Sequence, residues 1–201
     1  MIPQRNLSLL ANRLAQGAKR RIPESVLERD YCLAWFLVVL GSTPLRDILA
    51  FKGGTALRRC YFPDYRFSED LDFTLIVPTL FLEIRLLLKQ IFVEVRRTSG
   101  VGFGYSREDP HFHTNSHTFY LSYQGPLPPT RAPKEVKVDV TVRECVVFDL
   151  EDRPVLAGYP EYSDLPAKAT VRAYSLKEIA AEKVVALLDR ARNEPRDLYD
   201  V

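Results

Sequence analysis

Residues Phe51–Leu75 read FKGGTALRRCYFPDYRFSEDLDFTL, and the rest of the chain can be read outward from them. The stretch begins with a short apolar lead-in, followed by a Gly-Gly-Thr turn and a helical segment. It ends in a strand expected over Phe67–Val77. Gly53 and Gly54 lack Cβ, so the backbone there can take positive φ and approach a ligand closely. A glycine turn that opens a helix also aims unpaired N–H groups and the positive end of the helix dipole at an anion. Thr55 places a hydroxyl beside them. Alternation along the strand puts Ser68, Asp70 and Asp72 on one face and Phe67, Leu71 and Phe73 on the other. Carboxylates one pleat apart, roughly 6–7 Å along a strand, suit a pair of Mg²⁺ ions that clamps the attacking and leaving oxygens of a phosphoryl displacement. Either half of this pattern is commonplace alone: a Gly-Gly-Thr turn before a helix, or an Asp-x-Asp pair on a solvated strand. Their succession on one short stretch makes it a candidate triphosphate and metal site.

Gly-Gly-[Ser/Thr] followed by Asp-x-Asp resembles the signature of the polymerase-β-like nucleotidyltransferases. FKGGTAL with RFSEDLDF is similar to the AbiEii/AbiGii toxin family within that superfamily, as are LERDY at Leu27–Tyr31 and the closing EKVVALLDRARNEPRDLYD. The likeness runs from about residue 24 to the end and is weakest near 100–160. Fourteen residues separate Thr55 from Asp70, longer than the general superfamily spacing and matching the AbiEii-like branch.

The resemblance implies an α+β (α/β) nucleotidyltransferase fold, a small twisted mixed or antiparallel sheet packed by helices. It implies a nucleotidyltransferase domain over residues 1–175 and the start of a C-terminal helical part over 176–201. It further implies nucleotidyl transfer from a nucleoside triphosphate to an acceptor hydroxyl, with RNA such as a tRNA end as acceptor and a cognate antitoxin as protein partner. Asp70 and Asp72 would hold Mg²⁺, with Asp139 as third carboxylate and proton acceptor. Gly53, Gly54 and Thr55 would cradle the phosphates, Lys183 would neutralise them, Ser68 would support the acids, and Asp197 would position Lys183 or the base. If Asp139 does not serve, Glu144 is the next carboxylate in line. Two readings from other classes stay open: a non-catalytic nucleotide- or antitoxin-binding module, and a transferase acting on a small molecule or a protein.

At 201 residues with 46% apolar and 27% charged content, the chain has the composition of one globular domain with a substantial core. A net charge of +2 is compatible with a nucleic-acid partner but does not argue for one. Cys32, Cys60 and Cys145 form no Cys-x-x-Cys pair and are expected to be buried, inert thiols in a reducing compartment. No signal-peptide pattern or membrane-length apolar run is visible, so a cytoplasmic location is expected.

Helices are expected over 5–20, Val26–Leu40 and Leu80–Arg97, the second opened by a Ser25–Glu28 capping box. Glu28 and Asp30 read as ordinary first-turn acids. From residue 101 the period shifts to two, giving strands over His117–Tyr123, Glu135–Arg143 and Ala169–Tyr174 between proline-rich turns. Asp139 shares its strand face with Lys137, Thr141 and Arg143, against a valine face. His111, His113 and His117 lack partners at metal-ligand spacing and are expected to be partly exposed. A second capping box, Ser175–Glu178, opens a helix expected over Leu176–Arg192. Lys183 falls within its apolar stripe, where it must either meet an anion or extend its head to solvent. Pro195 then opens a further helix in which the chain ends, as a short family member or one cut before a C-terminal helical part.

Overall fold

The computed structural model describes residues 1–17, 21–111, 114–188 and 198. Its helices are α1 (Gln4–Gly17), α2 (Glu24–Leu40), α3 (Gly53–Ala56, prolonged by a π-helical turn Leu57–Tyr61), α4 (Phe81–Ser99) and α5 (Leu176–Leu188). Its strands are β1 (Leu49–Lys52), β2 (Leu71–Leu75), β3 (Gly102–Glu108), β4 (Ser116–Gln124), β5 (Lys134–Thr141), β6 (Glu151–Pro154) and β7 (Thr170–Ala173). Together they form one mixed seven-stranded sheet in the order β3-β4-β5-β2-β1-β7-β6.

β2 lies at the centre, antiparallel to β1 and parallel to β5. Over its first three residues it alternates: Leu71 and Phe73 are buried while Asp72 reaches the opposite face. β5 repeats the pattern, burying Val136, Val138 and Val140 and turning Lys137, Asp139 and Thr141 the other way. The apolar face packs on α2, whose residues from Tyr31 to Leu40 are all buried. A helix apolar all round is stable only when enclosed, and α1, α4 and the sheet supply the enclosure. α4 ends at Gly100, which takes the left-handed conformation at φ 79° and thereby closes the helix.

Several expectations are corrected here. The acid strand starts at Leu71, not Phe67, so Ser68 and Asp70 lie in the segment ahead of it. β1, β3 and β6 were not foreseen as strands. No Ser25 cap forms; α2 begins at Glu24 behind Pro23. Glu28 and Asp30 are not solvated first-turn acids. Glu28 is fully buried and accepts from Lys134 Nζ at 2.8 Å and from the Leu127 backbone at 2.9 Å. Asp30 is enclosed by Arg58, Arg59 and Tyr162. Cys32 and Cys60 are buried, but Cys145 is exposed.

The stripe on α5 that was expected to face inward is largely in solvent. Leu176, Val184, Leu187 and Leu188 are exposed, and only Glu178 and Ile179 are buried. The Ser175 cap forms on one side, its hydroxyl accepting from the Glu178 N–H at 3.3 Å. The Glu178 carboxylate turns instead to the backbone N–H groups of Val147 and Phe148. Among the described residues no helix is long and apolar enough to cross a membrane.

Candidate active site

The register of three neighbouring strands builds the floor of a cleft. Lys52 on β1 stands opposite Asp72 on β2, and Asp72 stands opposite Asp139 on β5. Residues directly opposite one another share a face, so one row crosses the sheet as cation, acid, acid. The cleft above this row has a volume of about 680 Å³. Its walls bring Gly53, Gly54, Ser68, Asp70 and Lys183 to the same space as Asp72 and Asp139.

Gly53 opens α3 at φ 77°, a conformation that favours glycine, and a Cβ there would overlap Asp72 Oδ2. The glycine turn and the acid are therefore in direct contact, and any side chain at position 53 would push them apart. At Gly54 a Cβ would lie 3.1 Å from Arg66 and 3.3 Å from the Ser68 hydroxyl. Thr55 has a different place from the one expected of it. It is buried, and its hydroxyl donates to the Asp70 carbonyl at 2.5 Å. It thus ties the segment carrying Asp70 to α3 instead of lining the cleft. Asp197 lies outside the described residues, as does His113; His111 sits by Asp109, and His117 stacks on Phe81.

The electrostatics of the floor are those of crowded acids. Burial pushes the Asp72 carboxyl up to about 6; Asp70 and Asp139 add repulsion, partly offset by Lys52 and Lys137. Asp139 Oδ1 is buried without a hydrogen-bond partner, and its Oδ2 is 3.9 Å from Lys137 Nζ. Buried oxygens of this kind are costly unless a cation or proton completes them. Oxygen-only donors around an open space fit a hard divalent ion such as Mg²⁺. Among the described residues no three His, Cys, Asp or Glu side chains close into a ready-made metal cage. The acids face an open cleft instead.

Among the cleft residues that were not expected candidates are Lys52, Arg66, Lys137 and Glu182. Lys52 Nζ pairs with Glu144 and, at 3.0 Å, with Glu182 on α5. Burial disfavours its charge, but the two carboxylates outweigh it and raise its pKa. Glu144, which also accepts from the Thr74 hydroxyl at 2.7 Å, is held low by its donors against the effect of burial. Burial and the neighbouring Glu144 drive Glu182 the other way. Two carboxylates around one ammonium cannot both ionise freely, and the better-bonded one, Glu144, keeps the charge.

A sequence profile of the family described as nucleotidyl transferase AbiEii toxin, type IV toxin–antitoxin system, matches residues 35–201. The chain belongs to that family. Solved structures agree on the fold of this AbiEii family member. JHP933 from Helicobacter pylori superposes with a TM-score of 0.58 at 20% identity, over 89% of this chain and 65% of that one. MenT4, a nucleotidyltransferase toxin from Mycobacterium tuberculosis H37Rv, gives 0.59 at 21%, over 88% and 57%. A nucleotidyltransferase structure from H. pylori, itself described as putative, gives 0.58 at 19%, over 89% and 67%. The chain therefore spans between 57% and 67% of the length of these neighbours. A comparison with curated proteins finds no match.

Proposed function

We propose that this AbiEii family member transfers a nucleoside monophosphate from a nucleoside triphosphate to an acceptor hydroxyl, in a Mg²⁺-dependent reaction at the cleft floor. The observation that carries the reading is the facing pair Asp72 and Asp139 on adjacent parallel strands, directly under the glycine turn that opens α3.

Asp70, Asp72 and Asp139 would hold the metal, two ions being the number that suits an in-line displacement. When bound, the metal supplies charge neutralisation on the phosphate oxygens. Gly53 and Gly54 let backbone N–H groups approach the triphosphate, and Lys183 on α5, which lines the same cleft, would neutralise it. Thr55 holds the Asp70 segment in place, and Ser68 would support the acids. Asp139 takes the proton of the attacking hydroxyl as the new O–P bond forms. The bond between the α- and β-phosphates breaks, and pyrophosphate leaves.

The acceptor in this reading is RNA, a tRNA end being the expected form. The setting is a toxin–antitoxin pair with a cognate antitoxin, acting in the cytoplasm. Incubation with each α-labelled triphosphate, Mg²⁺ and total cellular RNA tests the reading. Label in the RNA fraction supports it. Label on protein or on a small molecule reassigns the acceptor, and no incorporation with any triphosphate reduces the chain to a binding module.

A further inference from the structure

The strand order divides the cleft into two sides. β1, which leads into the glycine turn and whose Lys52 pairs with Glu182 on α5, lies on one side of the acid pair. β4 and β3 lie on the other, beyond Asp139. A triphosphate seated on the first side leaves the second for whatever brings the attacking hydroxyl.

That second side carries a built feature. Thr118 is opposite Asp139 and Tyr120 opposite Lys137, so Tyr120 shares the face of the catalytic acids. Two residues along and one strand across, it lies about 8 Å from Asp139 between Cα atoms. The edge strand β3 has an irregularity between Tyr105 and Arg107 that shifts the register and brings Arg107 opposite Tyr120. Such bulges re-aim a side chain. Here the Arg107 guanidinium sits 3.5 Å from the centre of the Tyr120 ring.

Glu135 on β5 fixes the plane of that guanidinium. It accepts from Arg107 Nη2 at 3.0 Å and Nε at 3.2 Å, and its other oxygen accepts from Ser106 at 2.5 Å. The stack is half in solvent, with the Arg107 side chain 48% exposed. Lys137 stands between it and Asp139, and beyond it the same strands border a hollow of about 470 Å³ beside Gly104 and Ser122. A flat cation on an aromatic ring, held by a carboxylate and open on its outer side, is a platform for a nucleobase; an adjacent lysine suits the phosphate that follows.

We propose that the Arg107–Tyr120 stack seats a base of a single-stranded RNA acceptor beside its reacting end, with Lys137 on the intervening phosphate. This rests on the nucleotidyl-transfer reading and names where its acceptor lies. Glu135 and Asp139 neighbour the two cations, Arg107 and Lys137, so the ring stack is what would hold the base, and the face continues along β5 to the acid pair.

The test is binding of a short fluorescein-labelled single-stranded RNA of mixed sequence to the full chain, followed by anisotropy, with Mg²⁺-ATP binding titrated separately. Arg107→Ala and Tyr120→Ala are each expected to weaken RNA binding at least about tenfold, whereas Tyr120→Phe keeps the ring and stays near wild type. Mg²⁺-ATP binding should be the same in all four proteins. Unaltered thermal unfolding of the variants checks that the exposed stack is not holding the fold. If Arg107→Ala binds RNA as tightly as wild type while wild type still labels RNA, the platform is wrong and the transfer reading stands. If wild type binds no single-stranded RNA and labels only protein or small molecules, the platform and the RNA acceptor both fall.

Discussion

Two charged clusters flank the short α3 segment, and they obey opposite rules. On one side, Asp30 is only 4% exposed and its carboxylate is held from several directions. Arg58 Nε donates to it at 2.8 Å, Arg59 pairs with it at 2.5 Å, and the Tyr162 hydroxyl donates to it at 3.1 Å. Further Arg58 and Arg59 donors reach Pro63, Leu156 and Ala157 carbonyls and the Tyr159 hydroxyl, and Arg59 Nε alone of these guanidinium donors is buried without a partner. On the other side lies the cleft floor, with three acids close together, a raised carboxyl at Asp72 and a partnerless oxygen on Asp139. Buried acids matched by buried bases hold a fold together, whereas buried acids crowded against one another suit a ligand that brings the missing positive charge. The same α3 is thus fastened beneath and left open above.

The contrast can be broken at either end. Asp30→Ala should be the most damaging change, because two arginines would stay buried without their carboxylate. A loss of about 3–5 kcal/mol is expected on breaking such a cluster, read as a fall in the urea midpoint. An unchanged midpoint would mean that the cluster contributes nothing to holding α2 against α3.

Asp72→Asn should do the opposite. The folded-state pKa of about 6 lies above the usual carboxylate value of about 3.9, so the native protein binds the proton more tightly than the unfolded chain. The charged Asp72 then costs stability as pH rises through this window, on the order of 3 kcal/mol above pH 7. Without divalent ions, Asp72→Asn should be more stable than wild type by about that amount at pH 8. The gap should close at pH 4 and below, where the wild-type carboxyl is protonated in the folded state. A variant less stable than wild type at pH 8 would place Asp72 with the structural charges.

Lys183→Met sharpens the comparison by the smallest expected margin. Lys183 lies on the cleft wall of α5, and its loss should leave the fold alone. It should weaken Mg²⁺-nucleotide binding by about tenfold, the scale of one charge-assisted contact. Titration calorimetry on both proteins measures this, and equal affinities would remove Lys183 from the site.

How much of this was legible in the sequence follows from the physics of each element. The glycine turn, the Asp72 strand and the Asp139 strand were readable because each has one buried and one polar face, and alternation records that. β1 was read as a mere lead-in because Leu49, Ala50 and Phe51 are buried on both faces and show no alternation. Lys52 at its end was missed with it, although only the register with Asp72 gives it a role. β3 was hidden by Gly102 and Gly104, and β6 by a charged sequence ending in proline. On α5 the spacing showed that two faces exist, but not which one meets the sheet. The face bearing Glu178 and Glu182 does so, because Val147, Phe148 and Lys52 offer donors there. Glu28 and Asp30 went the same way: their partners Lys134 and Arg58 lie 106 and 28 residues away and leave no local mark.

The central claim is that Asp72 and Asp139 work as one site across two strands. The most direct measurement is Mg²⁺-dependent transfer from an α-labelled triphosphate to RNA, under single-turnover conditions, by wild type, Asp72→Asn and Asp139→Asn, with folding of each checked by its unfolding curve. The account predicts that each single variant stays folded and loses transfer by at least about a hundredfold, and that the double variant is scarcely worse than either, as residues acting as a unit are non-additive. Wild-type transfer by either folded single variant would contradict it.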